Sequence, residues 1–205
     1  MIANSGADIV LVQEAGPLMA RERGRLLKAF PYQSACTNQR CELAILSRFP
    51  MTTPRYRFRD AAGRQFGVGL LTARITFPGG RAVRVATLHL PRLTKWPDGG
   101  QYLRQRLAAT VGLVADPGLI IGGDFNQVPW SFALQQLDEQ MWPMTRVTRA
   151  TPSDPASIGG KQTVALLPID HIYAGPLWRA RKAWVLPYAG SDHRPVMAEL
   201  SWASR

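Results

Sequence analysis

Two short segments of the sequence carry side chains whose types and spacing suit phosphate chemistry: Gly122-Gly123-Asp124-Phe125-Asn126-Gln127 and Ser191-Asp192-His193-Arg194-Pro195. The apolar run Leu119-Ile120-Ile121 predicts a buried strand that delivers Asp124, and two residues later Asn126, to one end of a sheet. The second segment sets a carboxylate beside an imidazole just ahead of another apolar run, Val196 to Leu200. A carboxylate can hold a hard cation, an amide can touch an anionic oxygen, and a histidine can take a proton from water. Together these are the parts of metal-assisted phosphoester hydrolysis.

Further candidates stand at the ends of other apolar runs. His193 is the strongest general-base candidate, because imidazole alone has an unperturbed pKa near neutrality, and Asp170 is placed to orient its ring from a neighbouring strand. Glu14 follows a short strand and is the natural ligand for a hard cation, since Mg²⁺ usually takes one or two protein carboxylates. His89, after Thr87-Leu88, is a candidate to contact phosphate or to protonate a leaving oxygen. Each has an ordinary reading as well. A glutamate after a strand is usually solvated or caps a helix, a histidine such as His89 is more often a core or rim residue, and Asp-Phe-Asn is also turn chemistry. His171, next to Asp170, reads as structural. The joint occurrence at successive strand ends is what favours a site.

The elements that must position these residues alternate between strands and helices. Strands are expected over Asp8 to Gln13, Leu43 to Leu46, Gly67 to Thr76, Ala82 to Leu90, Leu119 to Gly123, Ile169 to Tyr173, Ala183 to Leu186 and Val196 to Trp202. A Pro78-Gly79-Gly80 turn joins the third and fourth. Pro17 to Phe30 predicts a helix with Pro17 in its first turn, and Gly99 to Ala115 a second with Leu103, Leu107 and Val111 on one face. Thr151 to Gln162, rich in Pro, Ser and Gly, reads as an exposed loop. Few helices against many strands favour a two-sheet α/β (α+β) core with helices outside.

The chain of 205 residues is long enough for one domain with a substantial core, expected over 1–205, and shows no internal repeat. No apolar run approaches the ~20 residues that span a bilayer, and the first residues lack the basic and apolar segments of a signal peptide, so the chain as it stands is expected to be soluble. Its formal charge of +11 comes mostly from arginine, with lysine only at 28, 95, 161 and 182. Guanidinium groups grip phosphate bidentately, which favours a polyanionic partner, nucleic acid or an anionic lipid surface, over a merely solvated basic face. Nothing in the sequence implies a protein partner. Cys36 and Cys41 flank a polar insert that suits a hairpin tip. A disulfide there would contribute about 2 kcal/mol by the chain-entropy account, against two unrelated thiols as the alternative, and a zinc site is disfavoured for want of a nearby histidine.

The order Asp8-Ile9-Val10-Leu11-Val12-Gln13-Glu14, Thr87-Leu88-His89-Leu90, Gly123-Asp124-Phe125-Asn126, Ile169-Asp170-His171-Ile172 and Ser191-Asp192-His193-Arg194-Pro195 resembles the endonuclease/exonuclease/phosphatase superfamily. That group includes DNase I-like nucleases, abasic-site endonucleases, neutral sphingomyelinases and inositol-polyphosphate 5-phosphatases. The resemblance runs from Asp8 to the C-terminus and is nearest to bacterial members that often carry membrane helices ahead of the domain. It implies a DNase I-like four-layer α/β/β/α sandwich. By resemblance, Glu14 would hold Mg²⁺ or Mn²⁺ with Asp192 assisting, and His193, oriented by Asp170, would activate water. Asp124 would position that water or help the leaving group, and Asn126 and His89 would contact phosphoryl oxygens.

One departure stands out. Members of the superfamily usually begin with an Asn-bearing strand and a helix before the strand that ends in the metal-binding Glu, and Asn4 stands too close to Glu14 to be that residue. The family's first strand is therefore expected to be missing from this sequence, together with any anchor that would hold an extracytoplasmic domain at a membrane. The leading expectation is a metal-dependent nuclease. The alternatives are a phospholipid or sphingomyelin phosphodiesterase or phosphatase, and a basic nucleic-acid- or lipid-binding module with weak catalysis.

Overall fold

Short apolar runs become strands here because each can bury its side chains while its backbone pairs with a neighbour. The computed structural model describes residues 2–34, 42–52, 55–59, 65–90, 92, 116–149, 151–158, 161–188 and 190–203. They belong to two compact units, one of Met1–His89 with Leu119–Gly123, the other of Leu90–Gly118 with Asp124–Arg205. The helix expected over Gly99 to Ala115 lies outside the described residues, and so do Cys36 and Cys41.

In the first unit, β1 (Ile9–Gln13), β2 (Tyr32–Gln33) and β3 (Leu43–Ser47) form an antiparallel sheet with β3 in the middle. All five residues of β3 are buried, as a central strand covered on both faces requires. Helix α1 (Ala15–Ala29) packs on this sheet, where Leu26 and Phe30 meet Leu46, Val10 and Val12. Burying side chains of that size contributes about 1.5–3 kcal/mol each. The helix begins two residues earlier than the sequence suggests. Pro17 is tolerated there because first-turn N–H groups have no intrahelical acceptor in any case. Next, β4 (Arg55–Arg59), β5 (Gln65–Thr76) and β6 (Ala82–His89) form an antiparallel meander, and β7 (Ile120–Asp124) lies beside β6. The turn between β5 and β6 has Gly79 and Gly80 at φ +85° and +81°, the left-handed geometry glycine adopts freely. In β7, Gly123 lies so close to β6 that a Cβ would collide with the Leu88 carbonyl.

The second unit holds α2 (Phe132–Gln140), β8 (Thr145–Arg146), β9 (Asp154–Ile158), β10 (Lys161–Leu167), β11 (Asp170–Ala174), β12 (Trp178–Val185) and β13 (Val196–Trp202). The pairs β8–β11, β9–β10 and β12–β13 are antiparallel. Phe125 and Tyr173 are fully buried and in contact. Beneath them Arg146 and the Tyr173 hydroxyl both donate to Asp138, at 2.7 and 2.5 Å.

Three expectations need correction. Within the loop expected over Thr151 to Gln162, Asp154–Ile158 form β9 and Lys161 and Gln162 open β10, while Thr151–Ser153 stay irregular. Strand pairing is a backbone property, and this hairpin accommodates Pro155 through irregular register. The strand expected over Ala183 to Leu186 starts at Trp178, because its first half presents Arg179, Arg181 and Lys182 to solvent and so lacks an apolar run. Helix α2 was not anticipated. Its Ser131 N-cap accepts from the Leu134 N–H, and Ala133, Leu134 and Leu137 form its buried stripe.

Candidate active site

In the second unit the end of β7 turns sharply. The Asp124 carboxylate, 6% exposed, accepts from the Asn126 backbone N–H at 2.7 Å and from its side-chain amide at 3.1 Å. The same amide donates to the Leu90 carbonyl at 2.7 Å, so both of its hydrogens are engaged. Asn126 takes φ +49°, a left-handed conformation that Asn tolerates better than most residues. Asp-Phe-Asn is therefore both turn chemistry and a device that fixes a buried carboxylate.

His193 and Asp170 meet as the sequence anticipates. The His193 Nδ1 lies 2.8 Å from Asp170 Oδ2, and because an ionised carboxylate only accepts, Nδ1 carries the donated proton. On the other side of the ring, Nε2 lies 3.5 Å from Asp154 Oδ1. Ser153 holds these segments together. Its carbonyl accepts from the Arg194 N–H at 2.8 Å, and its hydroxyl accepts from the Asp170 N–H at 3.4 Å. Asp192 is exposed beside Ser191, whose hydroxyl also accepts from the His193 N–H.

This cluster is electrostatically crowded. The Asp124 carboxyl is raised to about 7, first by burial and then by the charge of Asp170, against the Asn126 N–H and His193. His193 is raised to about 9, chiefly by its hydrogen bond to Asp170, while burial opposes and the charges of Asp170, Asp124 and Asp154 assist. Asp154 is also raised, by burial, with His193 and Arg92 pulling the other way. Buried like charges force protons to be retained unless another cation replaces them.

His171, 1% exposed, has a different role. Its Nε2–H donates to the Gln127 carbonyl at 2.8 Å and its ring meets Phe125 edge-on, which fixes the backbone just beyond Asn126. Burial lowers its pKa to about 4, so the ring is neutral.

The remaining sequence candidates belong to the first unit. Glu14 stands between β1 and α1, exposed, at φ 50° and ψ 41°, and its side chain makes no capping bond. A left-handed glutamate is strained, and such strain concentrates at functional positions. Gln13 Nε2 donates to Thr87 Oγ1 at 2.7 Å, which ties the end of β1 to β6 two residues before His89. The residue that sequence reasoning missed is Asp154. It lay within an expected loop among Thr, Pro and Ser, and nothing local distinguished it from turn chemistry.

Among the described residues no three His, Cys, Asp or Glu side chains gather as a ligand set. The donor chemistry still suits a hard divalent cation. The carboxylate oxygens are hard ligands, and Mg²⁺ keeps most of its waters and needs one or two of them. Also among the described residues, no helix is long and apolar enough to cross a membrane.

Comparison with known proteins bears on the family and the fold. A family model described as "Endonuclease/Exonuclease/phosphatase family" matches residues 1–193. No curated protein sequence matches the chain. Among solved structures, the chain is similar to D. rerio TDP2 complexed with single-strand DNA product, at 14% identity and TM-score 0.74, covering 98% of this chain and 88% of that one. A beta toxin mutant from Staphylococcus aureus with bound magnesium ions is similar at 17% identity and TM-score 0.68, covering 89% of its own length and 96% of this chain. The human Nocturnin catalytic domain with bound sulfate anion matches at 17% identity and TM-score 0.67, over 96% of this chain and 81% of that one. At these identities the likeness shows the fold, and it is the DNase I-like α/β fold expected from the sequence.

Proposed function

Since the chain belongs to the endonuclease/exonuclease/phosphatase family of phosphoesterases, we propose that it is a divalent-cation-dependent phosphodiesterase whose substrate is nucleic acid. The observation that carries this reading is the 2.8 Å contact of His193 Nδ1 with Asp170, beside the buried Asp124–Asn126 pair. Asp170 fixes the tautomer, so that Nε2 is the nitrogen that accepts a proton from water. Asp124, with its carboxyl near 7, is suited to position that water or to return a proton to the departing oxygen. Asn126 holds Asp124 in place, and the longer of its two amide bonds is the one that yields to a phosphoryl oxygen.

Glu14 and Asp192 are the residues proposed to hold Mg²⁺ or Mn²⁺, on the strength of their motif positions, and His89 is proposed to contact phosphate. The cation would supply Lewis-acid polarisation of the phosphate and charge for the developing oxyanion. A pKa of about 9 keeps His193 protonated near neutrality when carboxylates alone surround it. Added positive charge among those carboxylates lowers it toward the range of a working base. The similarity to a structure holding single-strand DNA product and the charge of +11 support a polynucleotide as substrate. The match over 1–193 supports reading both units as one catalytic domain.

The test is cleavage of single-stranded and plasmid DNA and of RNA with Mg²⁺, with and without EDTA, by the wild type and His193→Ala. Cleavage that EDTA and the substitution both abolish is the expected result. Release of phospholipid headgroups with all polynucleotides untouched would overturn the nuclease reading. Retained binding without any turnover would leave only a binding module.

A further inference from the structure

Trp130 and Phe132 flank the Ser131 cap of α2 and are 64% and 77% exposed. Large aromatic side chains at a protein surface are informative when they stand together, and these two share one turn. The helix buries Ala133, Leu134 and Leu137, which leaves Phe132 on the opposite side. The turn is rigid. Ser131 N–H donates to the Val128 carbonyl at 2.9 Å, its hydroxyl donates to Gln127 Oε1 at 3.2 Å, and Gln127 is anchored by His171.

This turn begins at the residue after Asn126. An extended chain covers at most about 3.6 Å per residue, so the Cα of Trp130 lies within about 14 Å of that of Asn126. The aromatic pair is thus held within reach of the nucleotides nearest the proposed cleavage centre. We propose that Trp130 and Phe132 form a stacking platform for unpaired bases, so that the substrate is a single-stranded polynucleotide. This rests on the nuclease reading of the same site.

The occupant follows from charge and shape. The chain carries +11 and suits a polyanion. A base offers a π-face to an aromatic ring without needing a charge beside it, and every base has one. Docking on an anionic lipid surface would need lysine or arginine on the aromatic face. The segment Phe132–Gln140 has neither, and it carries Glu139. Paired bases in a duplex are closed to such a platform.

Two single-stranded DNA oligonucleotides of equal length test this, one with normal bases and one with abasic tetrahydrofuran units on both sides of a single scissile phosphate. The wild type should cleave the base-bearing strand with the higher kcat/KM. Trp130→Ala and Phe132→Ala should each reduce that preference by about tenfold, mainly through KM. Trp142→Ala, a 78% exposed tryptophan beyond the far end of α2, should keep it. Quenching of tryptophan fluorescence by the two strands, with Ca²⁺ in place of Mg²⁺, reads the same preference without turnover, and melting curves establish that the variants fold. An undiminished preference in both variants overturns the platform. So does loss of binding to phosphatidylcholine/phosphatidylglycerol vesicles in the variants while the oligonucleotide preference stays intact. Absent cleavage with quenching that depends on Trp130 and on the bases would support the platform and sink the nuclease reading.

Discussion

At the scale of single residues, the pair His193–Asp170 carries the proposed chemistry. The hydrogen bond to Asp170 is the main reason the His193 pKa is raised to about 9. Asp170→Asn should therefore lower that pKa, read from the imidazole proton resonances, and reduce kcat by roughly 10²–10⁴-fold as a mispositioned base would. A stable fold with an unchanged His193 titration would refute the assignment. His171 gives the contrary case. Burial lowers its pKa from 6.5 to about 4, so the fold favours the neutral ring. Its contribution is complete above pH 6.5 and is lost as pH falls toward 4, by up to about 3 kcal/mol. Asp124, raised to about 7, works the other way over the same window, since protonating it in the folded state relieves its burial. The informative quantity is thus the urea stability of wild type minus that of His171→Gln, which should shrink between pH 6.5 and 4.

At the scale of elements, legibility followed the apolar runs. β1, β3, β5, β6, β7, β11 and β13 were readable because each buries a continuous or alternating set of side chains. The motif residues at their ends came with them, so Asp124, Asn126 and Asp170 could be named in advance. The hairpin β9–β10 was not readable, because long-range backbone pairing rather than local composition creates it, and Asp154 was hidden with it. Helix α2 had a cap and a stripe, yet at nine residues its pattern was too short to stand out. The closest packing constraint between elements is at Gly123. Gly123→Ala must push β7 away from the Leu88 carbonyl, and a loss of about 1–3 kcal/mol is expected, visible as a lower urea midpoint. Full stability in that variant would mean that the strand can shift without cost.

For the whole molecule, the charge of +11 predicts how binding responds to salt. Each phosphate neutralised on a single strand adds about −0.7 to the slope of log affinity against log salt. Oligonucleotide affinity should therefore fall steeply as NaCl rises from 50 to 200 mM, by about 2.6-fold for each contact and compounding with each further one. A flat profile would show that the basic surplus is merely a solvated surface. The family match over residues 1–193 takes in the first compact unit and most of the second.

Glu14 and Asn126 share a left-handed backbone, at φ 50° and 49°. An L-residue gives up roughly 1–2 kcal/mol to stand there, and glycine does not. Glu14→Gly should accordingly be more heat-resistant than Glu14→Ala, although both remove the same carboxylate. At Glu14, the proposed metal ligand, backbone ease and chemistry thus pull in opposite directions, whereas at Asn126 the amide's bonds to Asp124 and the Leu90 carbonyl favour keeping the side chain. In a lineage released from the proposed metal binding, glycine would become the favoured residue at position 14 while asparagine persisted at 126.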